Sequence, residues 1–324
     1  MRVLVTGGSG FIGSHVMDVL GAEGHIGCNF DVKRPTFRRH DNSWFEGDLL
    51  DLESLERSLT EFRPDIIMHL AARAEIQSSA WEDFASIHQG TRNLLAAIEG
   101  YGQLTRLLNV STQLTIGPGH DPRGPLDFKP YTVYGEAKAF AEGLLFQWQS
   151  EVPWLTVRPA TIWGPYHPSL ASAIWKYIGS GHYIQAVADA PILRSYGFVR
   201  NTAKQMVDLI LKPPAITSRQ VYYLADEVMD SAIWADAFSV RLRGKPATRV
   251  PAALLHLLGY AGDAAAKLGR PVPIDSGRVQ RLTQSYPVPL EPTFSLIGLP
   301  VIPFEAGVDE SVEWLLAGAP REAR

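Results

Sequence analysis

The chain has 324 residues, of which 46% are hydrophobic and 20% are charged, a composition typical of a globular protein with one large core and a smaller lobe. Its net charge is only −4, with acidic and basic residues mixed along the chain, which argues against the basic footprint of a nucleic-acid-binding protein. No apolar run reaches the roughly 18 residues of a membrane helix, so the sequence predicts neither a nucleic-acid partner nor a membrane partner.

The first half of the chain alternates short β-rich runs with segments of helical period. This alternation is typical of a parallel sheet with helices on both faces, and six strands would complete a dinucleotide-binding sheet. The predicted strands are 2–7, 25–32, 43–49, 65–72, 105–112 and 153–160, and the predicted helices are 12–22, 51–62, 84–100 and 134–150.

After Gly164 and Pro165 the pattern loosens into loops that contain many prolines and glycines, which indicates a second, smaller lobe. Two further runs still resemble strands, at 198–201 and 221–226. We therefore expect the chain to return to the first lobe before it completes the second. The predicted helices of this half are 169–179, 201–212, 230–242, 251–268 and 306–317.

A glycine-rich loop follows the first strand. Gly7, Gly10 and Gly13 have the spacing G-x-x-G-x-x-G. A tight turn from strand to helix requires glycine, and only glycine lets backbone N–H groups approach a pyrophosphate closely. Glycine triplets alone are weak signals, but the strand before this one and the helix after it match the dinucleotide fingerprint. The residues expected to contact the cofactor here are Gly7, Gly10, Phe11, Ile12 and Gly13.

Asp31 ends the second strand, about 20 residues beyond the loop, where a carboxylate accepts the adenosine ribose hydroxyls. This position favours NAD over NADP. The basic residues Lys33, Arg34, Arg38 and Arg39 follow closely, and they would suit either a 2′-phosphate or a solvated loop.

Other candidate cofactor contacts lie at the ends of later strands. Asp48 could cap a helix or bind the adenine amine. Ala71 and Ala72 are small enough to leave room for a cofactor, although plain core packing would also explain them. The remaining predicted contacts are Leu49, Leu70 and Pro159.

Tyr134 and Lys138 lie four residues apart near the start of a predicted helix, so their side chains share one face. An ammonium group near a phenol favours the phenolate, which would make Tyr134 an acid/base group near neutral pH. Thr112, at the end of the fifth strand, is placed to share the proton of a substrate hydroxyl with Tyr134. Ser111 is the alternative for that role.

These motifs, in this order, resemble the landmarks of the extended short-chain dehydrogenase/reductases, and specifically the NAD-dependent epimerase/dehydratase family. The resemblance is strong through residue 165 and thinner beyond it. In that family the Thr112 position is Ser or Thr, Tyr134 is the base, and Lys138 also binds the nicotinamide ribose. The matching segments are GGSGFIG, GDLLD, HLAA, GTRNLL, VST, YGEAK, RPATIWGP and RSYGFVRN.

Departures from the family pattern bear on the reaction and the substrate. Dehydratases carry Asp-Glu after the catalytic threonine, whereas this chain has Gln113 and Leu114, so dehydration is not expected. Thr161 stands where many 4-epimerases have asparagine, and Trp163 stands where they have tyrosine. Arg194 matches an arginine that holds a nucleotide pyrophosphate, although an ion pair would also explain it. The predicted substrate contacts are Thr112, Thr161 and Arg194.

The resemblance implies a nucleotide-sugar epimerase that oxidises a sugar hydroxyl to a transient ketone and returns hydride to the opposite face. A net NAD(P)-dependent dehydrogenase or reductase, acting on a nucleotide sugar or another hydroxyl or carbonyl compound, is the alternative. A dinucleotide-binding sensor without catalysis is a third reading, but it would need none of the Thr112, Tyr134 and Lys138 set.

The expected fold class is α/β, a Rossmann doubly wound parallel sheet with a smaller C-terminal α/β lobe. Residues 1–165, with about 195–225, would form the NAD-binding domain, and residues 166–194 and 226–324 the substrate-binding lobe. The helices 84–100 and 134–150 resemble those that form a homodimer interface in the family. Their apolar residues could equally be buried within one chain: Leu94, Leu95, Ile98, Leu144, Leu145 and Trp148.

The N-terminus and the cysteine content both bear on the compartment. Met1 leads directly into an apolar run, which leaves no room for a signal peptide. Cys28 is the single cysteine and lies among apolar neighbours, so it is expected to be a buried structural thiol in a cytoplasmic protein. The nine histidines are scattered, and no metal site is expected.

Overall fold

The structure is a computed structural model that describes residues 1–73, 78–168, 170–267 and 275–318. Its strands alternate with helices through the first half of the chain, as the sequence predicts. In chain order the strands are β1 (Arg2–Thr6), β2 (Ile26–Asp31), β3 (Trp44–Glu46), β4 (Ile66–His69), β5 (Arg106–Val110), β6 (Trp154–Pro159), β7 (Thr161–Trp163), β8 (Ile184–Val187), β9 (Leu193–Phe198), β10 (Val221–Leu224), β11 (Glu227–Asp230) and β12 (Thr248–Pro251).

The helices continue into the second half, where a π-helical turn at Leu170–Ile174 precedes the fifth α-helix. None of the helices in the described ranges is long and apolar enough to cross a membrane. In chain order they are α1 (Phe11–Ala22), α2 (Leu52–Phe62), α3 (Ala85–Tyr101), α4 (Val133–Gln147), α5 (Trp175–Ser180), α6 (Val199–Leu211), α7 (Pro214–Thr217), α8 (Ser231–Arg243), α9 (Ala252–Lys267), α10 (Ser276–Thr283), α11 (Glu291–Ile297) and α12 (Phe304–Leu316).

The main sheet has seven parallel strands in the order β3-β2-β1-β4-β5-β6-β10. The first six reproduce the strand order of a Rossmann sheet. All the strands are parallel, but the order in which the chain adds them reverses between β1 and β4. Ligands of such sheets bind at the carboxyl ends of the strands beside this reversal. The fold therefore confirms the expected α/β class and adds β10 as a seventh strand.

Side chains of successive strand residues point to opposite faces of the sheet. Val3 and Val5 pack in one apolar cluster with residues of α1 and α6. Leu4 packs in the other cluster with residues of α2, α3 and α4. Cys28 is buried in the second cluster, and burial raises the pKa of its thiol to about 12, so the expected structural thiol is confirmed.

The chain divides into two compact units. The first comprises Met1–Ile162, Val199–Ala225 and Pro289–Val301, and the second comprises Trp163–Phe198, Asp226–Val288 and Ile302–Arg324. The return of the chain to the first unit agrees with the sequence.

Residues 289–301 differ from the expectation, which placed them in the second lobe. They belong to the first unit because α11 packs there. The Thr293 hydroxyl donates to the Tyr223 carbonyl over 2.7 Å, and Leu296 and Ile297 pack against the apolar cluster on the α1 and α6 face.

The second unit has its own aromatic core. Trp163 packs against Phe198 and Phe238 with ring centroids 5.1 and 5.5 Å apart. β9 pairs antiparallel with β11, and β8 pairs parallel with β12. The predicted strand 198–201 is wrong: β9 ends at Phe198, and α6 begins at the next residue.

Candidate active site

The glycine-rich loop joins β1 to α1 at the carboxyl edge of the main sheet. Gly7 has a φ of +77°, which favours glycine, and its N–H donates to the Phe30 carbonyl over 2.9 Å. A Cβ at Gly7 would lie 2.6 Å from the backbone nitrogen of Ala71, and a Cβ at Gly13 would lie 2.1 Å from the Gly7 carbonyl oxygen. The loop is therefore packed as closely as glycine alone permits.

The start of α1 suits an anion. Its N-cap is Gly10, which offers no side chain to cap the helix, and its first turn contains no acidic residue. Uncapped N–H groups and the helix dipole both favour negative charge at such a position. This cradle fits the pyrophosphate of a dinucleotide, with Phe11 and Ile12 at the first helical positions beside it.

Gly13→Ala is expected to abolish NAD binding, because its methyl group would displace the Gly7 carbonyl and reshape the loop. Calorimetric titration with NAD measures the loss. Gly21→Ala in the same helix is the matched control, since no neighbouring group lies within 4 Å of a Cβ there. That variant should keep its NAD affinity and gain about 1 kcal/mol in the free energy of unfolding. Wild-type NAD affinity in Gly13→Ala would contradict this role of the loop.

Asp31 is held against the loop by backbone donors. Its carboxylate accepts from the N–H of Ser9 over 3.1 Å and from that of Lys33 over 2.9 Å. Burial raises the pKa of Asp31, and these hydrogen bonds partly offset the rise. Ser9 is fixed in turn, since its hydroxyl donates to the Lys33 carbonyl and accepts from the Asn29 amide. The expected ribose-binding carboxylate thus lies directly beside the pyrophosphate loop.

Two of the four basic residues after Asp31 have partners within the protein. Arg39 donates to Asp18 over 2.7 Å and lies over the Phe37 ring. The guanidinium of Arg34 lies 5.3 Å from the centre of the Trp44 ring. Since both guanidinium groups already have partners within the protein, these contacts favour a solvated surface loop over a binding site for a 2′-phosphate.

The residues after β3 show which aspartate caps α2. Asp51 caps α2, with its carboxylate accepting from the Ser54 N–H, so Asp48 is not the cap. Asp48 is exposed and accepts from the Leu50 N–H over 2.9 Å. Leu49 is buried, and its carbonyl accepts from the Asn93 amide of α3 over 2.9 Å.

The end of β4 lies beside the glycine loop, through contacts with Thr6 of β1. The Leu70 N–H donates to the Thr6 carbonyl over 3.0 Å, and the Ala71 N–H donates to the Thr6 hydroxyl over 3.3 Å. Ala72 packs with the apolar cluster that contains Tyr134. Small residues here keep the loop and the sheet edge close together.

His69, the last residue of β4, is a buried site residue that the sequence did not single out. Its Nδ1 lies 2.8 Å from the Thr6 hydroxyl, and its Nε2 lies 3.2 Å from the Thr91 hydroxyl. Burial lowers the pKa of His69 to about 3, and the charge of Lys138 contributes to this shift. The ring is therefore neutral at physiological pH.

His69 is expected to make the protein less stable as pH falls. An unfolded histidine has a pKa of ~6.5, so below that value the unfolded chain binds a proton that the folded chain excludes. The free energy of unfolding should lose about 1.4 kcal/mol per pH unit from this residue, from about pH 6.5 downward. Urea unfolding between about pH 5 and 7 measures the slope, and His69→Gln should flatten it. Equal slopes in the two proteins would contradict the neutral buried ring.

Tyr134 and Lys138 occupy the first turns of α4. The Lys138 ammonium donates to the Val110 carbonyl at the end of β5 over 2.7 Å, which ties the helix to the sheet edge. Burial lowers the pKa of Lys138 to about 8, although the negative charge of Glu142 opposes this shift. Burial also raises the pKa of Tyr134. The expected lowering of the Tyr134 pKa by Lys138 is thus not seen in the protein alone, because desolvation dominates.

The structure separates the two hydroxyl candidates. Ser111 donates its hydroxyl proton to the carboxylate of Glu142 in a buried contact, so its proton is engaged. The Thr112 hydroxyl oxygen accepts from the Leu114 N–H over 3.3 Å, which leaves its own proton for another acceptor. This arrangement favours Thr112 for substrate contact.

Behind these residues lies a buried ion pair that the sequence did not reveal. Glu142 and Arg158 are almost fully buried, with two N–O distances of 2.8 and 2.9 Å. Arg158 also donates to the Tyr223 hydroxyl over 3.1 Å and to the Pro125 carbonyl over 2.8 Å. The available signal was Glu142 itself, an acid one helical turn beyond Lys138 on the same face. Through Ser111, the pair fixes the segment that carries Thr112.

The remaining predicted residues fall in both units. Pro159 is buried at the end of β6, and Thr161 is half-buried in β7. Arg194 belongs to the second unit, where it lies on β9 and its charge lowers the pKa of Tyr196 against the larger effect of burial. Trp163 packs in the core of that unit, so the tryptophan that replaces the usual tyrosine at this position contributes to the packing of that core.

The candidate site is built mainly from strand ends of the first unit. Carboxyl ends of parallel strands share one edge of a sheet, so the glycine loop, Asp31, Ala71 and Thr112 lie along that edge. The bond from Lys138 brings α4 to the same edge. Across the described residues, no group of three His, Cys, Asp or Glu side chains could hold a metal ion. The arrangement suits acid/base chemistry beside a bound dinucleotide.

Comparison with known proteins identifies the family of this chain. Residues 3–225 match the sequence profile of the NAD-dependent epimerase/dehydratase family. The N-acetyl-alpha-D-glucosaminyl-diphospho-ditrans,octacis-undecaprenol 4-epimerase of Escherichia coli O157:H7 is 27% identical, over 86% of this chain and 85% of that protein. A probable UDP-glucuronate 4-epimerase of Rhizobium meliloti is 26% identical, over 97% and 96%. A 3-beta-hydroxysteroid dehydrogenase of Mycolicibacterium neoaurum is 27% identical, over 69% and 65%.

Solved structures agree on the fold. The UDP-glucose 4-epimerase of Thermotoga maritima with UDP-glucose has a TM-score of 0.75 at 21% identity, covering 98% of this chain and 99% of that chain. The UDP-glucose 4-epimerase of Thermus thermophilus with NAD has a TM-score of 0.70 at 22% identity, covering 98% and 100%.

Proposed function

The chain belongs to the NAD-dependent epimerase/dehydratase family, and from this premise we propose that it is an NAD-dependent nucleotide-sugar epimerase. The observation that carries the proposal is the hydrogen bond from Lys138 to the Val110 carbonyl. This bond ties α4, with Tyr134 and Lys138, to the end of β5, two residues before Thr112, on the sheet edge that the glycine loop shares. A dinucleotide sensor would need no such set of proton-transferring groups.

Three side chains carry the proposed proton chemistry. Tyr134 takes the proton from a sugar hydroxyl as that carbon becomes a ketone, and returns it when the hydroxyl re-forms. Thr112 positions the same hydroxyl through a hydrogen bond. Lys138 holds a positive charge on the face of α4 that carries Tyr134, and this charge would favour the phenolate against the burial that raises the pKa of Tyr134 in the protein alone. When bound, NAD supplies the hydride acceptor and donor, held by the glycine loop and Asp31.

Inversion of a sugar carbon without net oxidation is favoured over dehydration and over a net dehydrogenase or reductase reaction. Two of the similar proteins are 4-epimerases that the chain matches over 85% and 96% of their lengths. Gln113 and Leu114 stand where a dehydratase needs an acidic pair. Inversion also requires that the ketone turn over before hydride returns to its opposite face.

A net dehydrogenase or reductase is the second candidate. It is favoured by the similarity to a steroid dehydrogenase, although that match covers only 65% of the dehydrogenase. The same three side chains would serve, with the ketone released as product or supplied as substrate.

The direct test is turnover of a panel of UDP-, GDP-, CDP- and dTDP-sugars by the purified protein. Denaturation of the protein first identifies any bound dinucleotide, and NMR follows the sugar stereochemistry while absorbance follows NADH. We expect bound NAD, a new epimer and no accumulating NADH. Stoichiometric NADH, or activity only with a ketone and added NADPH, would overturn the epimerase in favour of the second candidate.

We also propose a role for each unit, a compartment and an oligomeric state. The first unit binds NAD, and the second unit contributes substrate contacts that include Arg194. The protein works in the cytoplasm. It forms a homodimer through α3 and α4, with Leu94, Ile98 and Leu145 packed inside the chain and not in the interface. Size-exclusion chromatography with light scattering measures the mass of the protein in solution, and twice the mass of one chain would support the dimer.

A further inference from the structure

Ser9, in the glycine loop between β1 and α1, forms hydrogen bonds through all of its polar groups to the segment around the end of β2. Its N–H donates to the Asp31 carboxylate over 3.1 Å, and its carbonyl accepts from the Thr36 hydroxyl over 2.7 Å. Its hydroxyl donates to the Lys33 carbonyl over 2.7 Å and accepts from the Asn29 amide over 2.9 Å. Ser9 and these four hydrogen bonds form the Ser9 clasp, which joins the glycine loop to that segment.

Asn29 is the buried member of the Ser9 clasp. It lies on β2 with no exposed surface, in a kind of strand that is normally apolar throughout. An amide nitrogen can only donate, so the Ser9 hydroxyl accepts from Asn29 and directs its own proton to the Lys33 carbonyl. A Cβ at Gly8 would lie 2.4 Å from the Asn29 amide oxygen, so the same side chain also packs against the glycine loop. An apolar residue at this position could not fix the loop in this way.

The Ser9 clasp also fixes the carboxylate that is expected to bind ribose. One Asp31 oxygen accepts from the Ser9 N–H, and the other accepts from the Lys33 N–H over 2.9 Å. Each oxygen keeps a second lone pair, so the carboxylate can still accept from two neighbouring ribose hydroxyls. Because the N–H and the carbonyl of Lys33 are both engaged, Asp31 can turn to solvent only if the clasp opens. A 2′-phosphate at this place would therefore meet a fixed negative charge.

The far end of the same segment is anchored without the Ser9 clasp. Asp18 of α1 accepts from Arg39 over 2.7 Å, and its carboxylate lies 2.9 Å from Nε2 of the buried His40. Loss of the clasp should therefore loosen residues 31–36 and leave the chain beyond them in place. Lys33 lies in the loosened part and is exposed, so its ammonium group could then approach a 2′-phosphate.

We propose that Asn29 is a positioning residue that gives the protein its preference for NAD over NADP, acting through the Ser9 clasp on the Asp31 carboxylate. This inference rests on the proposed function, since it takes NAD as the bound cofactor. Asp31 supplies the charge that discriminates between the two dinucleotides, and Asn29 keeps that charge where the ribose lies. A carboxylate in an open loop would discriminate less, because it could turn to solvent while a neighbouring lysine binds the phosphate.

The test is calorimetric titration of the full chain with NAD and with NADP. We expect the wild type to bind NAD more tightly than NADP. Asn29→Leu keeps the branched shape of the side chain but removes the donor to Ser9. This variant should raise the Kd for NAD about tenfold, the effect of one or two lost hydrogen bonds. Its Kd for NADP should stay the same or fall, because the Asp31 carboxylate is no longer held in place.

Thr36→Val tests the Ser9 clasp without a change in the core. Thr36 is exposed, and valine has the same shape, so only the hydrogen bond to the Ser9 carbonyl is lost. The preference for NAD should fall about threefold, with the Tm of the wild type. Thr60→Val is the matched control, because Thr60 is also exposed and its hydroxyl donates to the Glu56 carbonyl within α2. Neither Kd should change in that control.

Asn109→Leu is the control for Asn29→Leu. Asn109 is also a buried asparagine of the main sheet, on β5, and its amide donates to the Thr156 hydroxyl over 3.3 Å. This variant should lose stability as Asn29→Leu does but keep the wild-type ratio of the two Kd values. An unchanged ratio in Asn29→Leu and Thr36→Val, with a wild type that prefers NAD, would overturn the proposal alone. A wild type that binds NADP in place of NAD would contradict the proposed function, and the proposal with it.

Discussion

Replacing Tyr134 by phenylalanine is expected to lower kcat by about 100- to 10,000-fold, the range for loss of a positioned acid/base group. The change removes one hydroxyl from a buried ring that packs against Phe84, with centroids 5.8 Å apart, so the ring and its surroundings should stay in place. The NAD affinity should therefore remain close to that of the wild type. Steady-state kinetics and calorimetric titration with NAD measure the two effects separately.

Tyr222→Phe is the control for this experiment. Tyr222 is also a buried tyrosine of the first unit with a raised pKa, and its hydroxyl donates to the Ile216 carbonyl over 3.3 Å. Loss of the Tyr222 hydroxyl should leave kcat nearly unchanged. A Tyr134→Phe variant with wild-type turnover would remove Tyr134 from the chemistry and would restore the sensor reading of the fold.

Glu142→Gln is expected to lower the free energy of unfolding by about 3–5 kcal/mol, the cost of leaving a buried partner charge uncompensated. The affected charge is Arg158, whose side chain is only 2% exposed. The Ser111 hydroxyl would also lose its carboxylate acceptor, so the segment carrying Thr112 should become less ordered. Guanidinium unfolding measures the stability, and kcat should fall even below the unfolding transition.

The surface pair of Arg39 and Asp18 provides the contrast. The Arg39 side chain is 59% exposed, and Arg39→Gln should cost less than about 1 kcal/mol because solvent screens such pairs. The double variant Glu142→Leu/Arg158→Met should recover part of the stability lost by Glu142→Gln, since it leaves no buried charge. A cost below about 1 kcal/mol for Glu142→Gln would show that water reaches the pair.

Strands of the main sheet could be predicted because each is an apolar run with a turn signal after it. The return of the chain at 221–226 was also predictable from its pattern. The predicted strand at 198–201 failed because Val199 is apolar and β-branched, although it is the first residue of α6. In that helix Val199, Ala203, Met206 and Ile210 form one buried face, and this helical period outweighs the local preference for strand.

The short strands of the second unit were not predictable from local pattern. β8, β11 and β12 have four residues each, which is too short for alternation to stand out from chance. Their pairing depends on partners distant in the chain, as when Glu227 pairs with Tyr196. The place of α11 in the first unit likewise depends on a tertiary contact, from Thr293 to Tyr223.

The candidate site divides in the same way. The placement of residues within one short motif, such as Gly7, Gly13, Tyr134 and Lys138, could be predicted because the motif sets their geometry. The pairing of Glu142 with Arg158 could not, because it forms only when α4 packs beside β6. The neutral state of His69 likewise follows from burial that no local pattern reveals.

We propose that hydride leaves and returns to the same sugar carbon, while Tyr134 transfers only the hydroxyl proton. The most direct measurement is to run the conversion in D2O with the nucleotide sugar that the protein turns over, and to examine the inverted carbon by NMR. We expect the product to keep its original carbon-bound hydrogen, with no deuterium at that carbon. Incorporation of solvent deuterium there would show proton abstraction from carbon instead, and would contradict the assignment of Tyr134, Thr112 and Lys138.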